Sequence, residues 1–128
     1  MMEKHRSEGV VTGDLFAGSV EGADVFIVDD MISTGGTILR AAMACRARGA
    51  KRVTAVATHG LFSAGATEMF RSPALDRIIV SDSATPFHTT PEHAAGKLEV
   101  ISAAPLMASA MKRLHGGGSI HRLLNPVP

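Results

Sequence analysis

The chain has 128 residues, 45% of them hydrophobic, enough for one domain with a buried core and little more. Thirteen basic and twelve acidic residues give a net charge of +1, and the aromatics are five Phe, so neither a basic field nor stacking platforms point to nucleic acid or an anionic membrane. A single cysteine excludes a disulfide framework, and charged first residues with no apolar run approaching a membrane span predict a cytoplasmic protein.

Glu3-Lys4-His5-Arg6 opens the chain as a charged run, by pattern alone a solvated terminus. Val10 to Thr12 and Leu15 to Val20 read as short extended pieces, with a hairpin turn predicted at Gly13-Asp14. Val25 to Val28 is an apolar run rich in β-branched residues, followed by two acids and a Ser/Thr/Gly cluster, which predicts a buried strand running into a loop. A helical pattern from about Gly36 to Arg48 follows, with Cys45 at an apolar position as a core residue, and Gly49 stops it. Val53 to Thr58 is the next predicted strand, ending at the polar turn Thr58-His59-Gly60, and a helix from about Gly65 to Arg71 precedes Pro73. Arg77 to Ser81 reads as a third buried strand, Ser83 to Gly96 as a loop, and Leu98 to Ser102 as a short strand. Pro105 to His115 has helical spacing, with Leu106, Met107, Ala110, Met111 and Leu114 on one face, and Gly116 to Gly118 stop it. The tail from Ser119 is expected to pack on the domain or on a neighbouring subunit. Strands alternating with helices predict an α/β domain.

The junction after Val28 carries the chemistry. Asp29-Asp30-Met31-Ile32-Ser33-Thr34-Gly35-Gly36-Thr37 places a polar loop at the carboxyl end of a strand, where ligands sit in open α/β sheets. Gly35 and Gly36 let main-chain N–H groups approach a ligand, Ser33, Thr34 and Thr37 add hydroxyl donors, and the helix start adds unpaired N–H groups and a positive dipole end. Together these suit a phosphate. Asp29 and Asp30 accept hydrogen bonds only, a poor match for phosphate but a good one for vicinal sugar hydroxyls one ring away. The constellation predicts a sugar phosphate as ligand. The lysine and spacing of the ATP-binding P-loop are absent, and so is the dinucleotide fingerprint.

Asp29 to Thr37 resembles the phosphoribosyl-binding motif of type I phosphoribosyltransferase-fold proteins, and with its flanks it resembles the ribose-phosphate diphosphokinase, or PRPP synthetase, family. Val20-Glu21-Gly22, Ala57 to Ser63, Ala104-Pro105-Leu106, Arg113-Leu114-His115 and Ser119-Ile120 extend the resemblance over nearly the whole chain, from about Glu3 to Leu124. The resemblance implies a three-layer α/β domain with a mainly parallel sheet, in partial form. It also implies a reaction: the C1 hydroxyl of ribose 5-phosphate attacks the β-phosphorus of Mg-ATP, giving PRPP and AMP for nucleotide biosynthesis. In that scheme Ser33, Thr34, Gly35, Gly36 and Thr37 hold the 5-phosphate and Asp29 and Asp30 hold the ribose hydroxyls. Lys4 and Arg6, at the start of what resembles the family's mobile catalytic loop, stabilise the transferring diphosphoryl group.

Departures from the pattern are His5 where a second basic residue is common, Ser33 where many members have Asp, and Ser63-Ala64-Gly65-Ala66 for a more usual Ser-Gly-Pro-Ala, which predicts a looser turn. The largest concerns length. The family carries an N-terminal domain of the same fold, and upstream strands bearing a metal-binding His and Asp. The expectation is therefore a single domain over residues 1–128 corresponding to the C-terminal half, with no metal ligand of its own and Mg2+ arriving with ATP. Expected partners are ribose 5-phosphate or PRPP, ATP where a complete site is assembled, and further copies or a complementary subunit.

Two other readings stay open. One is phosphoribosyl transfer from PRPP to a nucleobase, which asks for aromatic stacking near the site, with Phe62 and Phe87 as the only candidates. The other is a non-catalytic sugar-phosphate-binding or regulatory module. The histidines at positions 5, 88, 93, 115 and 121 show no metal-pair spacing, and His59 follows a strand end on the side of Asp29, where a backbone-bonded structural role is as well supported as a pocket role.

Overall fold

The computed structural model describes residues 2–7, 10–16, 19–84, 94 and 96–124, with backbone alone for 2–7, 10–16, 122 and 124. Strands β1 (Met2–Ser7) and β2 (Val10–Phe16) form an antiparallel pair, and β3 (Asp24–Ile32), β4 (Arg52–Gly60), β5 (Arg77–Ser81) and β6 (Leu98–Ile101) form a four-stranded parallel sheet in that order. Helices α1 (Gly36–Ala47) and α2 (Ala66–Arg71) connect the strands; α3 (Ala104–His115) and α4 (His121–Leu124) follow the sheet. The expected α/β class and mainly parallel sheet are present.

The first hairpin differs from expectation. Val10 to Phe16 is one continuous strand, and its partner is the charged run at the start of the chain. Glu3 pairs with Leu15 and His5 with Thr12, so Gly13 and Asp14 together oppose Lys4. The pair predicted as a turn is thus a β-bulge, the other use of a glycine inside a strand pattern. Lys4 and Arg6 lie in β1, a paired strand where a loop was expected; their side chains fall outside the described residues.

The sheet has one covered face because its strands are laid down in sequential order. Parallel crossovers are right-handed, so successive connections without a reversal stay on the same side. Ile38, Ala42 and Cys45 of α1 and Ala66, Met69 and Phe70 of α2 pack there against Val53, Ala55 and Ala57 of β4 and Ile78 and Val80 of β5. The alanines of β4 give the helices close access. Ala94, from the β5 to β6 connection, joins the same core. Cys45 is buried there as expected, and burial pushes its thiol pKa up. Of the expected three layers, the described residues form two: Phe26 and Val28 on the opposite face are exposed.

At the amino end of the sheet, Asp76 ties three elements together. It accepts from the Val53 amide at 2.6 Å and from Arg46 of α1 at 2.5 Å, and Arg46 also donates to the carbonyls of Ala50, Lys51 and Ala74. Burial alone would raise the Asp76 pKa, but the Val53 and Arg46 bonds outweigh it and hold the carboxyl below its ordinary value. A folded-state pKa below the unfolded one stabilises above the ordinary carboxylate range and is lost as pH falls through the folded value. Asp76→Asn should therefore cost about 1 kcal/mol in urea unfolding at pH 7, since solvent screens a carboxylate whose side chain is 40% exposed. The gap between wild type and variant should close as pH drops below about 4; a gap that stays constant with pH would rule out the charge as its source.

Helix α3 starts where Asp82 accepts from the Ser102 hydroxyl and the Ala103 amide, both at 2.7 Å. None of its residues is buried, so the predicted helix is present but its apolar face is left uncovered. The tail turns back on the polar side of α3, with Gly118 N–H donating to the Arg113 carbonyl at 2.8 Å and Leu123 near Ser109 and Lys112.

Candidate functional site

The loop between β3 and α1 sits at the carboxyl end of the sheet and is stitched to the loop after β4. Leu61 and Phe62 amides donate to the Ile32 carbonyl at 3.0 and 3.1 Å, and the Ser63 amide donates to the Ser33 carbonyl at 3.1 Å. The Ser33 and Ser63 hydroxyls lie 3.2 Å apart. Ser33, counted as a ligand donor in the sequence, thus has its hydroxyl engaged between the two loops. The turn predicted to be loose is closed by the Ala66 amide donating to the Ser63 carbonyl at 2.8 Å.

Gly35 caps α1 at φ 77°, in the left-handed region, and accepts the helix's first bond from Leu39 N–H at 2.8 Å. A Cβ there would lie 2.5 Å from Met69 Sδ and 2.9 Å from Met69 Cβ, so α2 presses directly on the loop. A Cβ on Gly36 would meet nothing nearer than Arg40 Nη1 at 3.6 Å, leaving that side open to a ligand. No side chain caps α1 and no acid occupies its first turn, so its initial N–H groups keep their capacity for an anion. Thr34 lies against Gly65 at the start of α2, and Thr37 Oγ1 accepts from Arg40 Nη2 at 3.4 Å.

Arg40 is the residue the sequence reading missed. It lies one turn into α1, and its guanidinium reaches back over Gly36 and Thr37, which brings a cation to the cradle. The i, i+3 spacing from Thr37 on one helix face is the signal that could have found it.

The acids behave less as a pair than their adjacency suggests. Inside-outside alternation along β3 places Asp29 half-buried on the covered side and Asp30 exposed on the other, and the alternation slips at Met31. The Asp30 amide donates to Asp29 Oδ1 at 2.9 Å, and among the described residues no side chain donates to either carboxylate. Both keep acceptor capacity for hydroxyls. β4 slips in step at Thr58-His59, so Met31 still pairs with His59. His59 Nδ1 lies 2.7 Å from Ser83 Oγ, and Ser81 Oγ donates to the Thr58 carbonyl at 2.7 Å. Of the two readings left open for His59, a backbone-bonded role and a pocket role, the bond present at Nδ1 is to a side chain, Ser83.

Phe62 has φ 44°, uncommon for a non-glycine residue, and its ring is 1% exposed, 5.0 Å from that of Phe70. It is a core residue that fixes the loop and offers no face to a base. Phe87, His88 and His93 lie outside the described residues.

The phosphoribosyl synthetase-associated domain family matches residues 10–125. The chain belongs to that family. Relatives within the phosphoribosyl synthetase group include the ribose-phosphate pyrophosphokinase of Vibrio parahaemolyticus, 45% identical over 109 residues that make up 84% of this chain and 34% of the relative. That of Aquifex aeolicus is 41% identical over 106 residues, 83% of this chain and 33% of the relative. The crystal structure of phosphoribosylpyrophosphate synthetase from Mycobacterium smegmatis superposes with a TM-score of 0.72 at 31% identity, over 91% of this chain and 37% of that one. This chain therefore spans about a third of the length of the synthetases it matches. No described helix is long and apolar enough to cross a membrane.

Proposed function

We propose that this chain carries the ribose 5-phosphate side of a ribose-phosphate pyrophosphokinase site, in the cytoplasm. The observation that carries the reading is the uncapped start of α1 behind Gly35 and Gly36, with Arg40 folded over it and the Asp29 and Asp30 carboxylates one loop away. The amides of Gly36, Thr37 and Ile38, the Thr34 and Thr37 hydroxyls and Arg40 hold the 5-phosphate. Asp29 and Asp30 accept from ribose hydroxyls on the two sides of the strand end, which orients the C1 hydroxyl.

Mg-ATP supplies the diphosphoryl group when bound. In this reading Mg2+ would arrive on the ATP phosphates, a common arrangement for a cation that keeps most of its waters. Lys4 and Arg6 are the cations proposed to neutralise charge on the transferred group. Phosphoribosyl transfer to a nucleobase has lost its described aromatic candidate, since Phe62 is buried. A non-catalytic sugar-phosphate-binding module is the second reading, resting on the same cradle at the start of α1.

Phosphorus NMR of the chain with ribose 5-phosphate and Mg-ATP tests both readings. AMP and PRPP in equal amounts support the kinase reading; a shifted sugar-phosphate signal without products supports the binding module; no shift at all would remove both. Asp29→Asn with Asp30→Asn should weaken ribose 5-phosphate binding about 10- to 100-fold while inorganic phosphate binding stays within a factor of two or so. Calorimetry showing equal losses for both ligands would refute the division between hydroxyl and phosphate groups.

A further inference from the structure

A bulge near the end of β4 brings a histidine beside the proposed sugar site. Ala57 pairs with Val80 and His59 with Ser81, so Thr58 is one residue more than β5 matches. Bulges re-aim side chains, and this one turns His59 to the side of the sheet that Thr58 and Asp30 face, where strict alternation would have sent it to the covered side. Three contacts hold the bulge. The Thr58 carbonyl accepts from the Ser81 and Ser83 hydroxyls at 2.7 and 3.1 Å, and Ser83 Oγ lies 2.7 Å from His59 Nδ1. Ser83 is itself fixed: its amide donates to Ser81 Oγ at 3.2 Å, and Asp82 before it accepts from Ser102 and donates its amide to the Ile101 carbonyl.

The protons available to these groups set the state of the ring. A hydroxyl has one proton, and that of Ser83 goes to the Thr58 carbonyl, so the contact between Ser83 Oγ and Nδ1 carries the ring's own proton. The neutral imidazole is therefore protonated at Nδ1, and Nε2 keeps its lone pair. Among the described residues nothing bonds to Nε2. We infer that His59 Nε2 accepts a hydrogen bond from the C1 hydroxyl of ribose 5-phosphate, which makes His59 a third sugar-binding residue beside Asp29 and Asp30. The inference rests on the ribose 5-phosphate reading above. In its ring form that sugar carries hydroxyls at C1, C2 and C3, and with the two carboxylates on the vicinal pair at C2 and C3, the C1 hydroxyl is the one left for a third acceptor. The spacing agrees. Met31 pairs with His59, so Asp30 and His59 stand one strand and one residue apart, about 6 Å between backbones and within the span of a sugar ring. An acceptor there holds the C1 oxygen by its proton and leaves the oxygen's lone pairs free for attack.

Calorimetry with ribose 5-phosphate and with 1,4-anhydroribitol 5-phosphate, the same sugar without its C1 hydroxyl, tests this on wild type, His59→Asn and Ser83→Ala, with melts to confirm folding. Asn offers an N–H where Nδ1 stands and nothing at Nε2. His59→Asn should lower ribose 5-phosphate affinity about tenfold and leave affinity for the anhydro compound within about twofold of wild type. Ser83→Ala frees the ring and should reduce the preference for ribose 5-phosphate over the anhydro compound several-fold. Equal losses for both compounds in His59→Asn, or a full preference kept in both variants, would overturn the inference and leave His59 as a tie between β4 and Ser83. A wild type that binds the two compounds equally tightly also overturns it while the sugar-phosphate reading stands. A wild type that binds neither removes that reading and the inference with it.

Discussion

Gly35→Ala is expected to abolish phosphate binding and to lower the melting temperature by roughly 10 °C. Two independent effects act at this position. A left-handed conformation at φ 77° costs a non-glycine residue about 1 to 2 kcal/mol. The added methyl would also press on Met69 at both Sδ and Cβ, and Cβ cannot swing away as a flexible chain end can, so α2 or the loop must move, at about 1 to 3 kcal/mol. Gly36→Ala separates stability from binding. Its Cβ would make ordinary van der Waals contacts, 3.6 Å from Arg40 Nη1 and 3.8 Å from Thr34 Oγ1, so stability should stay within about 1 kcal/mol of wild type, the ordinary helix-propensity range. Phosphate affinity should nevertheless fall if the ligand approaches the backbone at Gly36. Unchanged phosphate binding in both variants would place the anion elsewhere.

The second large effect is expected at Lys4 and Arg6. Each changed to Ala in an assembly that makes PRPP should lower kcat about 100-fold or more, with ribose 5-phosphate affinity nearly unchanged. Cations that act on charge developing during transfer affect the rate, whereas groups that hold the ground-state sugar phosphate affect KM. Single-turnover rates and equilibrium binding of ribose 5-phosphate distinguish the two. A fall in sugar-phosphate affinity of tenfold or more would make Lys4 and Arg6 binding residues and reassign their role.

The strand-to-helix loop proposed to hold phosphate was legible as a local structure because its requirements are local. Gly35 supplies a conformation that other residues resist, Thr37 and the helix start follow at fixed spacing, and the apolar run before Asp29 gives the strand that aims them. The i, i+3 spacing puts Arg40 on the helix face of Thr37, but that its guanidinium turns back over Gly36 instead of extending into solvent is set by the fold. The two acids were legible as carboxylates at a strand end. Their separation onto the covered and open sides was not, because the sequence reading ended the strand at Val28, whereas β3 runs on through both acids to Ile32 and its regular alternation puts neighbours on opposite faces.

Gly13-Asp14 shows a similar limit. A glycine between two extended pieces marks either a turn or a bulge, and only the partner strand, which pairs Glu3 with Leu15 and His5 with Thr12, selects the bulge. The stripe on α3 gave its helical period correctly, while period alone is silent on whether a face is covered. By itself the sequence determined the α/β alternation, the strand-to-helix junction after β3 and the side-chain types present at it, all consequences of backbone preference and short-range spacing. Tertiary structure decided which face of the sheet the helices cover, that Met69 presses on Gly35, and that α3 stands uncovered. Those outcomes come from strand order and crossover handedness, which act between segments far apart in the chain.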